Sequence, residues 1–260
     1  MKATISEFSY GFAVTYEICQ ELSNLGFLAA PLFPNLKQEG SPGYGYDVKI
    51  SLGFPLFLQF KLSDRMKRRR KADEWDFYKK SYFRVHLHKR SHSNQHQLLQ
   101  ELAKRGHYVC YASPAFLNPP ELDQAFLSRQ VVRRSMFINV NRLPQLPDNK
   151  SHYYTFLKGD DLKFWSKPTT IDGKFTGEIF LKNLIENLKN REVLQKIDSE
   201  YFYKLRASLL ETIGPRNLPL DFNKKQDMNE GPITDIVFLC RAYLGCEILF
   251  IGFSDREEVL

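Results

Sequence analysis

The chain has 260 residues, of which 43% are hydrophobic and 14% aromatic, a composition that excludes an intrinsically disordered protein. Its 37 lysines and arginines outnumber its 30 aspartates and glutamates, and the formal charge of +7 favours an anionic partner such as nucleic acid. The length suits one large domain or a core with an appended subdomain.

The sequence also argues against a membrane or secreted protein. The apolar segment 233–253 is interrupted by Asp235, Arg241 and Glu247, and no signal-peptide apolar region precedes the first predicted helix. The four cysteines show no Cys-x-x-Cys pairing, as is typical of reduced thiols. We therefore expect a soluble, cytoplasmic protein.

The first predicted element is an amphipathic helix. Val14, Ile18 and Leu22 recur at helical spacing, and Gly26 suits the left-handed cap that ends a helix. Two carboxylates, Glu17 and Glu21, lie one turn apart beside this apolar stripe. Either is a candidate for the carboxylate that a site on the neighbouring strands would use, and either can equally be an ordinary solvated glutamate.

A hairpin is predicted next. Residues 47–52 read as one strand, residues 53–55 as a turn and residues 56–62 as a second strand. Residues two apart on a strand share a face, so Gln59 and Lys61 should point the same way and Phe60 the other way. If the strands pair, Asp47 lies near both polar side chains.

This polar set on apolar strands indicates phosphodiester chemistry. Burying an acid and a lysine costs free energy unless a metal ion or a phosphate compensates the charge. The Asp47 carboxylate, the Gln59 amide oxygen and the Phe60 carbonyl are ligands that Mg²⁺ or Mn²⁺ accepts. Lys61 would then stabilise charge on the attacked phosphate.

A basic run follows the proposed site and predicts a grip on the phosphate backbone, although such runs are usually solvated loops. Its members are Lys67, Arg68, Arg69, Arg70 and Lys71. If the run is only a loop, the basic surface would have to be sought among Lys79, Lys80, Arg84, Lys89 and Arg90.

A strand, a helix and a second strand are predicted beyond the basic run. The strand covers residues 82–88, the helix runs from a cap at Ser93 or Asn94 to Gly106, and the second strand covers residues 107–112. Four histidines occur here without zinc-finger spacing and are expected to be exposed; they are His86, His88, His92 and His96.

The remaining sequence predicts a helix at 121–129, strands at 136–140 and 152–157, helices near 179–188 and 194–213, and a helix or strand before Gly252. Proline-rich residues 144–148 mark a possible boundary. Asp160, Asp161 and Asp172 read as acidic turns. The predicted fold is α/β, with a central mixed sheet flanked by helices in residues 1–145 and a mainly helical extension in 146–260.

Glu17, Asp47, Gln59 and Lys61 together resemble the PD-(D/E)xK nuclease superfamily, over roughly residues 9–140. The resemblance implies a restriction-endonuclease-like core in which the helix glutamate and the aspartate serve the metal, the Gln59 position is a second ligand and the lysine is catalytic. It also implies that Gln95, or Gln97 nearby, faces the active site from the start of its helix. The chain departs from the family in having Gly-Tyr-Asp for Pro-Asp and Gln59 for an acid.

The resemblance implies a metal-dependent nuclease acting on DNA, with RNA as a possible substrate, in bacterial restriction or antiphage defence. Gln59 supplies no charge, so a module that binds nucleic acid without cleaving it is an alternative. A third hypothesis is a homo-oligomer or a partner subunit of a larger complex, with the C-terminal helices as the docking surface.

Overall fold

The computed structural model describes residues 1–31, 50–67, 73–89, 92–157, 162–165, 168–215, 218 and 232–253. Some residues singled out by sequence lie outside the described residues, namely Asp47, Arg68, Arg69, Arg70, Lys71, Arg90, Asp160 and Asp161. Within the described ranges the fold is α/β, with a central mixed sheet flanked by helices and a helical C-terminal region. This confirms the predicted fold class.

The α-helices of this part are α1 (Glu7–Ser23), α2 (Asp73–Tyr78), α3 (Gln95–Lys104), α4 (Pro119–Leu127), α5 (Gly177–Lys189), α6 (Ser199–Ile213) and α7 (Pro232–Leu239). Four of them begin at a side-chain cap whose oxygen accepts a hydrogen bond from the N–H three residues on; the caps are Ser6, Asn118, Thr176 and Asp198. None of the helices in the described ranges has the length and apolarity to cross a membrane.

The strands are β1 (Leu28–Pro31), β2 (Leu52–Phe60), β3 (Asp64–Met66), β4 (Tyr82–Leu87), β5 (Tyr108–Pro114), β6 (Ser135–Asn139), β7 (His152–Phe156), β8 (Lys163–Trp165), β9 (Thr169–Thr170), β10 (Gln195–Lys196) and β11 (Glu247–Phe253). The central sheet has the order β1-β11-β2-β5-β6, with β10 paired to β2. A second, antiparallel sheet has the order β3-β4-β7-β8-β9.

The central sheet combines strands from both halves of the chain. β2 runs parallel to β5, and its other edge pairs antiparallel with β11, which in turn pairs with β1. The last described strand therefore lies between the first two. A core confined to residues 1–145 lacks this strand, so the expected boundary does not separate the strands of the sheet.

The turn predicted at residues 53–55 is wrong, because one continuous strand runs through it; residues 47–49 of the predicted first strand lie outside the described residues. β2 runs through Gly53 and Pro55 without a turn, and it pairs with β11 along its whole length up to Leu58. On the other edge, β10 pairs with residues 52–53 and β5 with residues 56–60, so Pro55 falls in the gap between them. A residue without an N–H donor is tolerated in such a gap, which explains why the Gly-Phe-Pro sequence does not turn the chain.

The two faces of the sheet are covered by different helices. Leu56, Leu58 and Phe60 belong to a buried cluster that includes residues of α1, α4 and α5. Phe57 faces the opposite cluster, which includes residues of α3, α6, α7 and the second sheet. The alternation predicted for this strand is confirmed, and Gln59 and Lys61 fall on the face of Phe57.

Candidate active site at the end of strand β2

Lys61 immediately follows β2 and is held at the end of the sheet. Its backbone N–H donates to the Ala112 carbonyl of β5 at 2.9 Å, and its side chain is buried, with 7% exposed. The Nζ atom donates to Gln95 Oε1 at 3.2 Å. In the described ranges no carboxylate forms an ion pair with Lys61. Burial lowers the pKa of the ammonium group, and the charge of Glu7 opposes this effect.

Gln95 is the first residue of α3 and connects Lys61 to the C-terminal region. Its Nε2 atom donates to the Leu244 carbonyl at 3.0 Å. Leu244 ends a π-helical turn (Cys240–Leu244), and Gly245 follows in the left-handed conformation with φ of 60°. A Cβ atom at this position would collide with the Gln95 amide, so a glycine is needed here for conformation and for space. The predicted approach of Gln95 to the lysine is observed.

Gln59 lies beside this pair on the same face of β2. Its side chain is 2% exposed, and its Nε2 atom is 3.5 Å from the position that a Cβ of Gly245 would take. The Oε1 atom is buried and has no hydrogen-bond partner among the described residues. An unpartnered buried amide oxygen is costly, and a hard cation or a hydrogen-bond donor would satisfy it. The pairing of β2 with β11 ends at Leu58, so the carbonyl of Phe60 lies two residues beyond this pairing.

Glu17 is not brought to Lys61. It lies on α1, on the opposite face of the sheet, and is 4% exposed. Its carboxylate accepts hydrogen bonds from the N–H groups of Val131 (2.7 Å) and Val132 (3.1 Å). Burial raises the pKa of the carboxyl group, and these two bonds oppose the rise. The structure therefore corrects the expectation that Glu17 shares a cleft with Lys61 and gives it the task of holding the turn after α4.

A different carboxylate of α1 acts on Lys61. Glu7 is exposed in the first turn of the helix. Burial lowers the pKa values of both Lys61 and His88, and the negative charge of Glu7 opposes this lowering at both groups. The sequence analysis missed Glu7 because the helical periodicity begins later, at Val14. An acid directly after a serine cap is a local signal for a helix start, but it does not reveal which strand end lies nearby.

The histidines divide into two kinds. His86, His88 and His92 are exposed, as predicted. His96 is buried instead, with Nδ1 2.9 Å from Tyr111 Oη and Nε2 3.1 Å from the Pro144 carbonyl oxygen. It faces the core because it lies on the inner side of α3, one residue after Gln95.

The described ranges hold no group of three His, Cys, Asp or Glu residues arranged for a metal ion. Of the proposed ligands, Gln59 and the Phe60 carbonyl are at the end of β2, Glu17 is on the other face, and Asp47 is outside the described residues. The residues present thus fit a divalent ion through neutral oxygens, and its acidic ligand would have to be Asp47.

The structure describes only some of the basic residues that were proposed to contact nucleic acid. Lys67 is exposed, whereas the next four members of the run lie outside the described residues. Arg84, from the alternative basic surface, donates to the buried Glu74 at 2.7 Å, and its guanidinium lies 4.6 Å from the Tyr153 ring centroid. This arginine is engaged within the fold, which leaves Lys79, Lys80 and Lys89 as the exposed or half-exposed cations of that surface.

Comparison of the chain with protein-family models, with curated proteins and with solved structures gave no match in any of the three. Function is therefore inferred from the geometry around Lys61.

Proposed function

We propose that the chain is a metal-dependent nuclease that hydrolyses phosphodiester bonds in DNA at the site formed by Lys61, Gln59 and Gln95. The observation that carries the proposal is the buried ammonium group of Lys61, which has a neutral amide as its hydrogen-bond partner. Lys61 has no carboxylate partner within the described ranges. A buried cation of this kind gains stabilisation from an anion that reaches it, and phosphate is the anion of nucleic acid.

In this proposal Lys61 binds the phosphate and stabilises the negative charge that develops on it during hydrolysis. Gln95 Oε1 orients the ammonium group, and the bond from Gln95 Nε2 to Leu244 fixes the orientation of the glutamine. Since the site is already organised, an entering phosphate meets a positioned charge and the reaction requires little reorganisation. A phosphate oxygen beside Lys61 would raise the pKa of the ammonium group again and keep it charged as negative charge develops.

Asp47, Gln59 and the Phe60 carbonyl are the residues that would hold a Mg²⁺ or Mn²⁺ ion. The ion would supply a Lewis acid for the phosphate and a bound water of lowered pKa. The Oε1 atom of Gln59, which has no hydrogen-bond partner among the residues that the structure describes, supports this assignment.

The basic run is proposed to hold the phosphate backbone, because it begins six residues after Lys61. Replacing Arg68, Arg69 and Arg70 with alanine should lower the slope of log affinity against log salt by about two to three. The weakening should be alike for unrelated duplex sequences, since phosphate contacts carry no sequence information. An unchanged slope would assign the binding surface elsewhere, first to Lys79, Lys80 and Lys89.

A second candidate function is nucleic-acid binding without cleavage. Two observations favour it: the ligand at the second position of the motif is the neutral Gln59, and Glu17 is committed to backbone bonds on the other face. In either case the resemblance to the nuclease superfamily leads us to propose a role in bacterial restriction or antiphage defence.

The decisive experiment measures cleavage of labelled DNA and RNA by the full chain with Mg²⁺, with Mn²⁺ and with a chelator. We expect metal-dependent cleavage of DNA that falls by about 100-fold or more in Lys61→Met and in Asp47→Ala. The matched control is Lys189→Met, which removes one exposed lysine from α5 and should leave the rate unchanged. Tight binding without cleavage under all metal conditions would select the second function. Cleavage by Lys61→Met and Asp47→Ala at the wild-type rate would overturn the proposed site.

A further inference from the structure

An exposed apolar surface lies on α1 and the end of α4. Phe8, Phe12 and Tyr16 are 85%, 61% and 44% exposed and follow one another at four-residue spacing, so they form a stripe along one side of α1. Phe126 of α4 extends the stripe, with its ring centroid 6.4 Å from that of Phe12 and 5.4 Å from that of Tyr16. Leu127 beside it is 83% exposed. We call these five residues the aromatic patch.

The charges around the aromatic patch speak against nucleic acid as its partner. α1 and α4 together contain no lysine, arginine or histidine, although the chain as a whole carries a formal charge of +7. They contain five acidic residues, which are Glu7, Glu17, Glu21, Glu121 and Asp123. A stacking platform for single-stranded nucleic acid needs a basic groove along the backbone, and these helices do not supply one. The aromatic patch itself contains no charged residue. A surface that is rich in aromatic side chains and poor in charges is typical of the centre of a protein interface.

The size of the aromatic patch matches what a homodimer needs. At about 200 Å² per aromatic side chain, the exposed parts of its three α1 residues amount to roughly 400 Å², to which Leu127 adds. A standard interface takes about 800 Å² from each partner, of which about two-thirds is apolar in homodimers. The patch supplies most of that apolar area by itself.

The two ends of the patch carry opposite charges. Glu7 precedes the stripe at its N-terminal end, while the exposed Arg129 and Arg133 follow α4 in the chain, and the Phe126 ring of α4 lies 5.4 Å from the ring of Tyr16. A two-fold axis at Phe12 would therefore bring the acidic end of each patch to the basic end of the other.

We propose that the aromatic patch is the interface of a homodimer in which α1 packs antiparallel against α1 of a second copy. Phe12 lies at the two-fold axis, and Phe8 packs against Tyr16 of the partner subunit because the two positions are equidistant from Phe12 along the helix. Such an interface is isologous, so each residue contact occurs twice and the assembly closes at two subunits. The proposal does not depend on the nuclease activity.

Sedimentation velocity on the full chain tests the dimer. At roughly 20 µM we expect a species of twice the 30.5 kDa chain mass, and Phe12→Asp or Phe8→Asp should weaken association by about 100-fold or more. The control is Tyr203→Asp, which changes an equally exposed aromatic side chain (61%) on α6 and should leave the dimer intact. Circular dichroism and thermal denaturation should show that the variants are folded, because the substituted side chains are exposed.

A charge exchange tests the antiparallel arrangement. Arg129→Glu should weaken association, and the double variant with Glu7→Arg should restore it, because the two residues meet across the two-fold axis. A monomer at this concentration, or a dimer unaffected by both aspartate variants, would overturn the proposal. A monomer that loses affinity for a single-stranded oligonucleotide in Phe12→Asp would also overturn it and assign the patch to nucleic acid. None of these outcomes depends on whether the chain cleaves DNA.

Discussion

The central sheet buries the acidic Glu17 on one face and the basic Lys61 on the other, and the two side chains find different partners. On the α1 face, both oxygens of Glu17 accept backbone N–H bonds, so the fold itself supplies the partners of the charge. On the α3 face, Lys61 donates to the neutral Gln95, and the buried Oε1 of Gln59 has no hydrogen-bond partner in the part of the chain that the structure describes. The first arrangement is structurally complete, whereas the second gains from an anion or a cation that is not part of the described residues. Buried groups of the second kind are typical of functional sites.

Glu17→Ala should cause the largest loss of stability, because it leaves two buried N–H groups without an acceptor. Each such group costs about 1–3 kcal/mol, so we expect the free energy of unfolding to fall by about 3 kcal/mol. Urea denaturation measures this loss. Glu21→Ala, one turn later and half-buried, is the matched control and should change stability by about 0.5 kcal/mol or less. The affinity of the folded variant for DNA should not change. A folded Glu17→Ala protein that no longer binds DNA would show that Glu17 belongs to the DNA-binding site.

Gly245→Ala should affect the α3 face in particular. The added Cβ collides with the Gln95 amide and must adopt a φ of 60°, so we expect a loss of about 2 kcal/mol and about a tenfold slower cleavage. Gly214→Ala is the control, because Gly214 also has a positive φ of 78° but has no atom within 4 Å of the added Cβ. It should cost about 1 kcal/mol and leave cleavage unchanged. Equal effects on cleavage would show that Gln95 does not position Lys61.

Lys61→Met sharpens the comparison, because a residue kept for function need not stabilise the fold. The thioether chain fills similar space without a desolvated charge, so the free energy of unfolding should stay within about 1 kcal/mol or increase. Chemical denaturation of the variant and the wild type at neutral pH provides the test. A loss above about 2 kcal/mol would assign Lys61 a structural role like that of Glu17.

The smallest effect is a pH dependence of opposite sign on the two faces. The pKa of Lys61 is lowered from 10.5, so between the lowered value and 10.5 the unfolded state binds more protons and stability rises with pH. The pKa of Glu17 is raised from 4.5, so between 4.5 and the raised value the unfolded state binds fewer protons and stability falls with pH. Denaturation midpoints over these ranges should lose the alkaline rise in Lys61→Met and the acidic fall in Glu17→Gln. If either variant kept its slope, the titrating group would lie elsewhere.

Sequence reasoning located most elements whose signals are local. α1 and α3 follow from helical spacing, and β4, β5 and β7 follow from alternation, with shifts of one or two residues at their ends. The turn predicted at residues 53–55 was wrong because the pairing partners decide whether a proline ends a strand. Those partners, β10 and β11, lie about 140 and 190 residues further along the chain, so no local pattern reveals them.

The arrangement of side chains around Lys61 was likewise predicted only where its signals are local. The shared face of Gln59 and Lys61 follows from the period of a strand, and the contact of Lys61 with Gln95 follows the resemblance to the nuclease superfamily. Leu244 and Gly245 were missed because they reach Gln95 only through the long-range pairing of β11. Glu17 was misplaced because the periodicity of a helix shows which side is buried but not which face of the sheet covers it.

The position of β11 between β1 and β2 affects how the protein is made. While the chain is emerging from the ribosome, β1 and β2 leave long before residues 247–253 and can complete their pairing only after this late segment arrives. Until then, the nascent chain holds unpaired strand edges flanked by apolar residues such as Leu56, Phe57 and Leu58, which favour association with other chains. The central sheet therefore closes only after residues 247–253 have been synthesised, and a chaperone that shields these edges in the meantime would raise the yield of folded protein.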